Sequence, residues 1–398
     1  MLNFSNDAKK LSDIFTNHGY EIYAVGGSVR DALLGKTPDD IDFCTDATPE
    51  DMLKMFPYSI KTGIKHGTLT IPFNKNYYEI TTYRIDGKYT DSRHPDTVNY
   101  SRSLKEDLSR RDFTINAMAV EVKSGTLIDI FCGIEDLKKH IIRTVGNPVE
   151  RFNEDALRML RAIRFQSKLG FFIEKNTYNA IKQLEDNIKN VSTERIRTEF
   201  LKILESPYAL EGIDGLIDTK LWRHILPFTK FPSNKNGTHY FNIKLNDKIN
   251  PILVLTAIFI TLTNNEEIVK KSTAYLKLSN AEMFTILHIF QHAKIDLSTL
   301  DTSFKKRKFL SSLKREYFDN FFDTLKILNS SYYTLKDEFG RFINDPLSIR
   351  ELDISGNDIL SLGLSGQEVR KALEKCLDEV LKDPILNKRS VLLNIAKI

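Results

Sequence analysis

Two carboxylates with one residue between them, in Asp40-Ile41-Asp42, follow a glycine pair, Gly26-Gly27, and an arginine, Arg30. The period of two in a strand sends Asp40 and Asp42 to one face and Ile41 into the core. Like charges placed this way call for a cation. Hard oxygen ligands that leave coordination positions open suit Mg²⁺ bridging to phosphates. The glycine pair suits the phosphates themselves. Two residues without Cβ let the backbone approach a polyphosphate, and the unpaired N–H groups of a first helical turn point at it. Arg30 adds a fixed cation one turn further on.

The elements that must hold these groups are legible around them. Ile22 to Val25 reads as a buried strand, Gly26-Gly27 breaks it, and a helical pattern begins at Ser28. The turn Gly35-Lys36-Thr37-Pro38 leads into a second strand that carries the two aspartates. Ahead of them, Ser5 or Asn6 caps a helix with Ala8, Leu11, Ile14 and Phe15 at helical spacing, expected to cover the sheet and to end near Asn17-His18-Gly19. Thr48-Pro49-Glu50-Asp51 is a helix start, with a cap, a proline at the first helical position and acids in the first turn. Thr68 to Phe73 and Tyr77 to Tyr83 alternate around Asn74-Lys75-Asn76 as a hairpin. Glu79 on its second strand is either a third carboxylate beside the aspartates or a glutamate on a solvent face. Residues 86–99 lack periodicity and read as a projecting loop.

A second group of polar residues follows in SLKEDLSRRDFTINAMAV. Arg111 suits triphosphate oxygens. Asp112 and Asn116 suit ribose hydroxyls, since a carboxylate accepts from O–H and an amide both donates and accepts. After Thr144-Val145-Gly146-Asn147-Pro148 the pattern is expected to stay helical to the end of the chain. Its first helix, RFNEDALRMLRAIRFQSKLG, carries Asp155, Arg158, Arg161 and Arg164 at successive spacings of three, with Leu157, Leu160 and Ile163 for packing.

The order GG, RD, LG, DxD within one strand-helix-strand unit resembles the signature of the nucleotidyltransferase superfamily that includes DNA polymerase β. It is most similar to the bacterial class II tRNA nucleotidyltransferases, the CCA-adding enzymes, and their poly(A) polymerase relatives. RRDFTINA and EDALRMLRAIRF resemble two further motifs of that family. The resemblance implies a polymerase-β-like α/β head with a mixed sheet and flanking helices (1–146), then a helical neck (147–206) and a helical body and tail that bind tRNA (207–398). It implies template-independent addition of CCA to the 3′ end of tRNA from CTP and ATP. Asp40 and Asp42 would hold two Mg²⁺ ions, with Glu79 as a further catalytic acid. Gly26, Gly27, Arg30, Arg111, Asp112 and Asn116 would bind the nucleotide. Asp155 and Arg158 would select its base, assisted by Arg161 and Arg164. In the family, loss of the loop that corresponds to 86–99 marks enzymes that stop after two C additions; here the loop looks complete. Asp129 matches a position near the edge of the family's site, although an acid before a turn is commonly structural. The cluster Ser192 to Glu199 resembles a fifth motif, with support of the Asp155 helix as its expected role. The rival readings are a poly(A) polymerase, an A-only or CC-only enzyme, and a catalytically silent RNA-binding protein. The paired carboxylates argue against the last, because RNA binding alone needs basic and aromatic groups.

Composition sets wide bounds. With 398 residues, 41% of them hydrophobic and 28% charged, the chain can bury the cores of several domains. A net charge of +4 does not by itself argue for nucleic acid. The three cysteines stand far apart, so neither a disulfide framework nor a zinc site is indicated and a reducing cytoplasm fits. The amphipathic N-terminus is unlike a secretory signal. The longest apolar run, Ile252 to Leu262, is too short to span a membrane and reads as a buried helix. Lys305-Lys306-Arg307-Lys308 with Lys314-Arg315 is either an RNA-phosphate patch or a solvated helix face. A homodimer is left open.

Overall fold

A computed structural model describes residues 4–38, 40–86, 98–230 and 249–397. They form two compact units that divide between Ile225 and Leu226. Most of the 86–99 loop lies outside the described residues.

The first unit is built on a seven-stranded mixed sheet of order β3-β4-β5-β2-β1-β8-β9. Its strands are β1 (Ile22–Val25), β2 (Asp42–Thr45), β3 (Ile60–Gly63), β4 (Thr68–Phe73), β5 (Asn76–Thr82), β8 (Met118–Glu121) and β9 (Leu127–Asp129). A separate ribbon joins β6 (Arg84–Asp86) to β7 (Val98–Tyr100). Only β2 and β5 pair in parallel within the large sheet; the hairpin β4–β5 is antiparallel, as its alternation predicts. Helix α1 (Asn6–Asn17) is capped by the Ser5 hydroxyl, which accepts from Ala8 N at 3.1 Å, and it buries Ala8, Leu11 and Phe15 against Ile22, Ala24 and Phe43 of the sheet. Helix α2 (Gly27–Leu33) follows β1 directly, and α3 (Pro49–Met55) begins on the Thr48 cap. The opposite face of the sheet carries a smaller cluster of Val25, Cys44, Tyr83, Leu108 and Ala119, beneath α4 (Leu104–Ser109).

One expected strand is shorter than its pattern implied. The second strand starts at Asp42, so Asp40 and Ile41 precede it. The reason lies in its partner. Val25, the last residue of β1, pairs with Asp42, and Gly26 at φ +77° then turns the chain away into α2, so β1 offers no partner to Asp40 and Ile41, and the pairing with β5 on the other side begins only at Phe43↔Ile80. Ile41 still packs against the core as expected.

Beyond the sheet, α5 (Gly133–Lys138) leads to α6 (Pro148–Glu154), α7 (Leu157–Leu169), α8 (Lys175–Leu184), α9 (Thr193–Leu204), α10 (Ala209–Asp218) and α11 (Trp222–Ile225). The region is not wholly helical, because β11 (Phe172–Ile173) pairs in parallel with β10 (Ile141–Ile142). Trp222 is buried and meets Phe200 edge to face.

The second unit is helical. Helix α12 (Pro251–Leu262) is buried all round, at every residue from Ile252 to Phe259. It is followed by α13 (Glu266–Tyr275), α14 (Asn280–His292), α15 (Ser303–Leu313), α16 (Phe318–Leu328) and α17 (Tyr332–Gly340). Phe309, Phe321, Phe322 and Phe339 interlock there, with centroids 5.2–5.7 Å apart. A further cluster joins α18 (Gly356–Leu360), α19 (Gln367–Lys382) and α20 (Arg389–Lys397) around Ile359, Cys376, Val380 and Leu392. The basic run on α15 is compensated from within: Lys305 meets Asp301, Lys306 meets Glu338, Arg307 meets Asp345 and Lys308 meets Asp378. That pairing favours the helix-face reading over a free phosphate patch.

Candidate active site

The β1–α2 junction brings glycine, carboxylate and arginine together. Gly26 has a backbone conformation that side-chain-bearing residues rarely adopt, and a Cβ there would lie 3.4 Å from Arg111 Nη1 and 3.8 Å from Asp42 Oδ2. Asp42 points to the sheet face that carries Val25 and Cys44. Burial pushes its carboxyl above the ordinary aspartate value, Arg111 pulls it back, and Asp40 adds to the rise. Arg111 is itself held from behind by Asp107, whose carboxylate is fully buried. Asp107 Oδ2 accepts from Arg111 Nη2 at 3.1 Å, and Oδ1 accepts from Arg110 Nε and Nη2 at 3.0 and 2.6 Å. Burial works to raise the Asp107 carboxyl, but Arg111 and Arg110 outweigh it and hold it below the usual range.

Asp112, three residues beyond the end of α4, has both oxygens occupied. Oδ1 accepts from Phe113 N at 2.8 Å and Asn116 Nδ2 at 3.1 Å; Oδ2 accepts from Arg161 Nε and Nη2 at 2.8 and 2.6 Å. Burial raises its pKa, yet the Arg161 ion pair and these hydrogen bonds bring it down to about 2. Asn116 Oδ1 in turn accepts from Arg30 Nη1 at 2.6 Å, and Arg30, buried, pairs with Asp31 at 2.7 Å. Arg30 therefore reaches the site as a support of Asn116.

The helix expected over residues 151–170 is broken at the residue expected to matter most. Asp155 is extended, at φ −141° and ψ 103°, between α6 and α7. Its Oδ1 accepts from Leu157 N at 3.0 Å, capping α7, and its Oδ2 accepts from Arg195 Nη2 at 2.8 Å. A side chain that satisfies the orphan donor of a new helix competes with continuing the old one. The Ser192–Glu199 segment supports this region from α9, because Glu199 also pairs with Arg164 at 2.8 Å. Arg158 is buried and donates to Glu154 Oε2 at 2.8 Å and to the Arg110 carbonyl at 3.0 Å.

These groups line one cavity of about 500 Å³. It collects Gly26, Gly27, Arg30, Asp42, Arg111, Asp112 and Asn116 from the sheet and its flanking segments and Asp155, Arg158, Arg161 and Arg164 from the α6–α7 break and α7. Asp40 and Glu79 do not line it. Asp40 is exposed just outside, near enough to act on Asp42. Glu79 is exposed on β5, one residue before the Phe43↔Ile80 pair, so it stands level with Asp42 on the same sheet face. Asp129 is structural: its oxygens cap α5 by accepting from Gly133 N and Ile134 N at 2.8 and 2.9 Å. Sequence reasoning missed Phe165, Lys168 and Arg110 on the cavity wall and Asp107 behind it. Arg110 and Phe165 stand inside the quoted RRDFTINA and EDALRMLRAIRF stretches and Asp107 lies just before the first of these, while Lys168 carried no signal.

The donor set fits a hard cation. Among the described residues, neither the Asp40 nor the Asp42 carboxylate accepts a hydrogen bond, and oxygen is all they offer. The three-ligand group that does close among the described residues, Glu185, Asp186 and His224, lies elsewhere and is engaged by Arg223.

A strand-turn-helix of glycines facing an aspartate on the neighbouring strand, walled by arginines, defines a nucleotidyltransferase head. Residues 22–143 match the Poly A polymerase head domain, and residues 170–231 match the family described as the probable RNA and SrmB-binding site of polymerase A. The chain is 35% identical over 387 residues to the CCA-adding enzyme of Ligilactobacillus salivarius, covering 95% of this chain and 93% of that one. It is 49% identical over 229 residues to the Lactobacillus helveticus CCA-adding enzyme, covering 55% and 57%. The crystal structure of the Bacillus stearothermophilus CCA-adding enzyme in complex with CTP matches with a TM-score of 0.84 at 30% identity, over 98% of this chain and 96% of that one. The chain belongs to the CCA-adding enzyme family, and that membership implies dependence on a divalent metal.

Proposed function

We propose that this protein adds C, C and A in turn to the 3′ end of tRNA, using CTP and ATP and releasing pyrophosphate, with protein side chains in place of a template. The observation that carries this reading is the single cavity in which Gly26-Gly27 and Asp42 meet Asp155, Arg158 and Arg161. Gly26 and Gly27 leave room for phosphates, and Arg111, braced by Asp107, stands beside them. Asp155 retains free lone pairs after its two hydrogen bonds and accepts from the exocyclic amino group of C or A. U would set O4 against that carboxylate and G would set O6, each mismatch costing about 1–3 kcal/mol.

Asp40 and Asp42 would hold Mg²⁺, with Glu79 on the same face as a further acid. Bound there, the ions would supply activation of the tRNA 3′-hydroxyl and neutralisation of the triphosphate and leaving pyrophosphate. The division into head, neck and tRNA-binding body and tail at 146 and 206 belongs to the same proposal, as does a cytoplasmic location. No helix among the described residues is long and apolar enough to cross a membrane.

The test is incubation with Mg²⁺ and a tRNA that ends at its discriminator base, with product length read at single-nucleotide resolution. Two added residues with CTP alone and three with CTP and ATP are expected. A stop at two with both nucleotides would point to a CC-adding enzyme, and one A added only to tRNA ending in CC would point to an A-adding one. A long A ladder would move the assignment to a poly(A) polymerase. No extension despite tight tRNA binding would leave an RNA-binding protein.

A further inference from the structure

Phe165 has no part in the chemistry derived above, yet three guanidinium groups converge on its ring. The Cζ atoms of Arg30, Arg161 and Arg164 lie 5.2, 5.7 and 4.6 Å from its centroid. The ring is buried, lines the cavity, and is itself fixed by Phe113, whose centroid is 5.5 Å away at an interplanar angle of 80°. Three like charges at such distances repel one another. Each has one carboxylate of its own, Asp31, Asp112 and Glu199 respectively, and all three share the one aromatic ring.

The contacts close into a circuit. Arg30 donates to Asn116, Asn116 donates to Asp112, Asp112 accepts from Arg161, and Arg161 and Arg30 both lie over Phe165. The circuit joins α2 of the head to α7, so a change at the ring reaches groups from both. A ring whose face carries negative potential attracts cations without consuming their N–H donors, as a further carboxylate would. An aliphatic residue of similar size would fill the space and leave the repulsion in place.

We propose that Phe165 is a positioning residue for nucleotide binding, which gathers Arg30, Arg161 and Arg164 by cation–π attraction and leaves their cavity-facing edges available to the nucleotide. This rests on the reading of the cavity as a nucleotide site.

The test replaces Phe165 with 4-fluoro-, 3,5-difluoro- and 3,4,5-trifluorophenylalanine. The series weakens the ring's negative face in steps at nearly constant size. The readouts are the dissociation constant for CTP, kcat and KM for C addition, and the thermal midpoint. The CTP dissociation constant should climb with each fluorine, to about tenfold for the trifluoro form, with KM rising in parallel, kcat changed less and the midpoint nearly constant. Phe165→Leu should bind CTP as weakly as the trifluoro form, and Phe165→Trp should recover most of the loss. A dissociation constant flat across the fluorinated series would overturn the proposal, and so would a fall in thermal midpoint that tracks the loss of binding. Wild-type protein that binds no CTP would overturn the nucleotide-site reading and this one with it, whereas normal wild-type binding with a flat series overturns this one alone.

Discussion

Arg195 on α9 donates to Asp155 at 2.8 Å, so the carboxylate expected to read the base is steadied from a helix forty residues away. Arg158, the partner named from sequence, bonds to Glu154 and the Arg110 carbonyl instead. On the proposed reading of Asp155, its discrimination between bases depends on Arg195. Arg195→Ala should lower the preference for CTP over UTP about tenfold, in the range of one mispaired contact, and Asp155→Ala should do at least as much. The ratio of kcat/KM values for the two nucleotides is the measurement, and unchanged selectivity in both variants would refute base reading by Asp155.

Asp42 should be indispensable. Asp42→Ala should abolish nucleotide addition while tRNA affinity stays within about twofold, because its carboxylate faces Gly26 and Arg111 and accepts no hydrogen bond from the described residues. A gel assay of extension beside a filter-binding assay of tRNA separates the two effects. Substantial residual addition would remove Asp42 from the reaction.

The same carboxyl should betray its neighbour when the metal is absent. Burial and Asp40 raise its pKa against the pull of Arg111. In metal-free protein, carboxyl NMR should place the Asp42 midpoint above the ordinary aspartate value, and Asp40→Asn should bring it down. Between the ordinary value and the raised one the folded chain binds more protons than the unfolded chain, so stability contributed by Asp42 falls as pH rises through that window. A divalent cation should reverse the loss.

Asp112 works in the opposite sense. With its pKa at about 2 when folded, the carboxylate contributes stability that is complete above the unfolded aspartate value and disappears as pH falls toward 2. Each tenfold change in proton affinity is worth about 1.4 kcal/mol, which makes that contribution on the order of 2 kcal/mol at neutral pH. Asp112→Asn should cost roughly that much in urea unfolding at pH 7 and progressively less toward pH 3. A double-mutant cycle with Arg161→Gln should return a coupling of comparable size.

Gly26→Ala should be damaging although it removes no charged group. A side chain at φ +77° is strained by about 1–3 kcal/mol, and the added Cβ would stand in contact with Arg111 Nη1 at 3.4 Å, on the cavity wall. A lower thermal midpoint together with weaker CTP binding is expected.

The head was readable because its signals are local. The Ile22–Val25 strand, the Gly26-Gly27 break and the Thr48 cap each lie within a few residues of the groups they govern, and all appear where the pattern put them. Family membership too was legible, since GG, RD, DxD and RRDFTINA are contiguous words. The break at Asp155 was not. EDALRML has good helix formers on both sides, and it is the Arg195 contact and the capping of Leu157 that stop α6 there. The late start of β2 at Asp42 was equally hidden, because it depends on where β1 stops. Asp107 looked like any acid in a first turn, and nothing local marks it as the anchor of two arginines.

Every one of the seven arginines on the cavity wall has a protein carboxylate within 3.1 Å: Arg30 with Asp31, Arg110 and Arg111 with Asp107, Arg158 with Glu154, Arg161 with Asp112, Arg164 with Glu199 and Arg195 with Asp155. Such a wall does not wait for a guest to neutralise it. Its arginines are already held in place by partners that the chain itself supplies. A mould that must be read several times over on one growing end gains from keeping its form between readings, and here the form is cast by the protein's own acids.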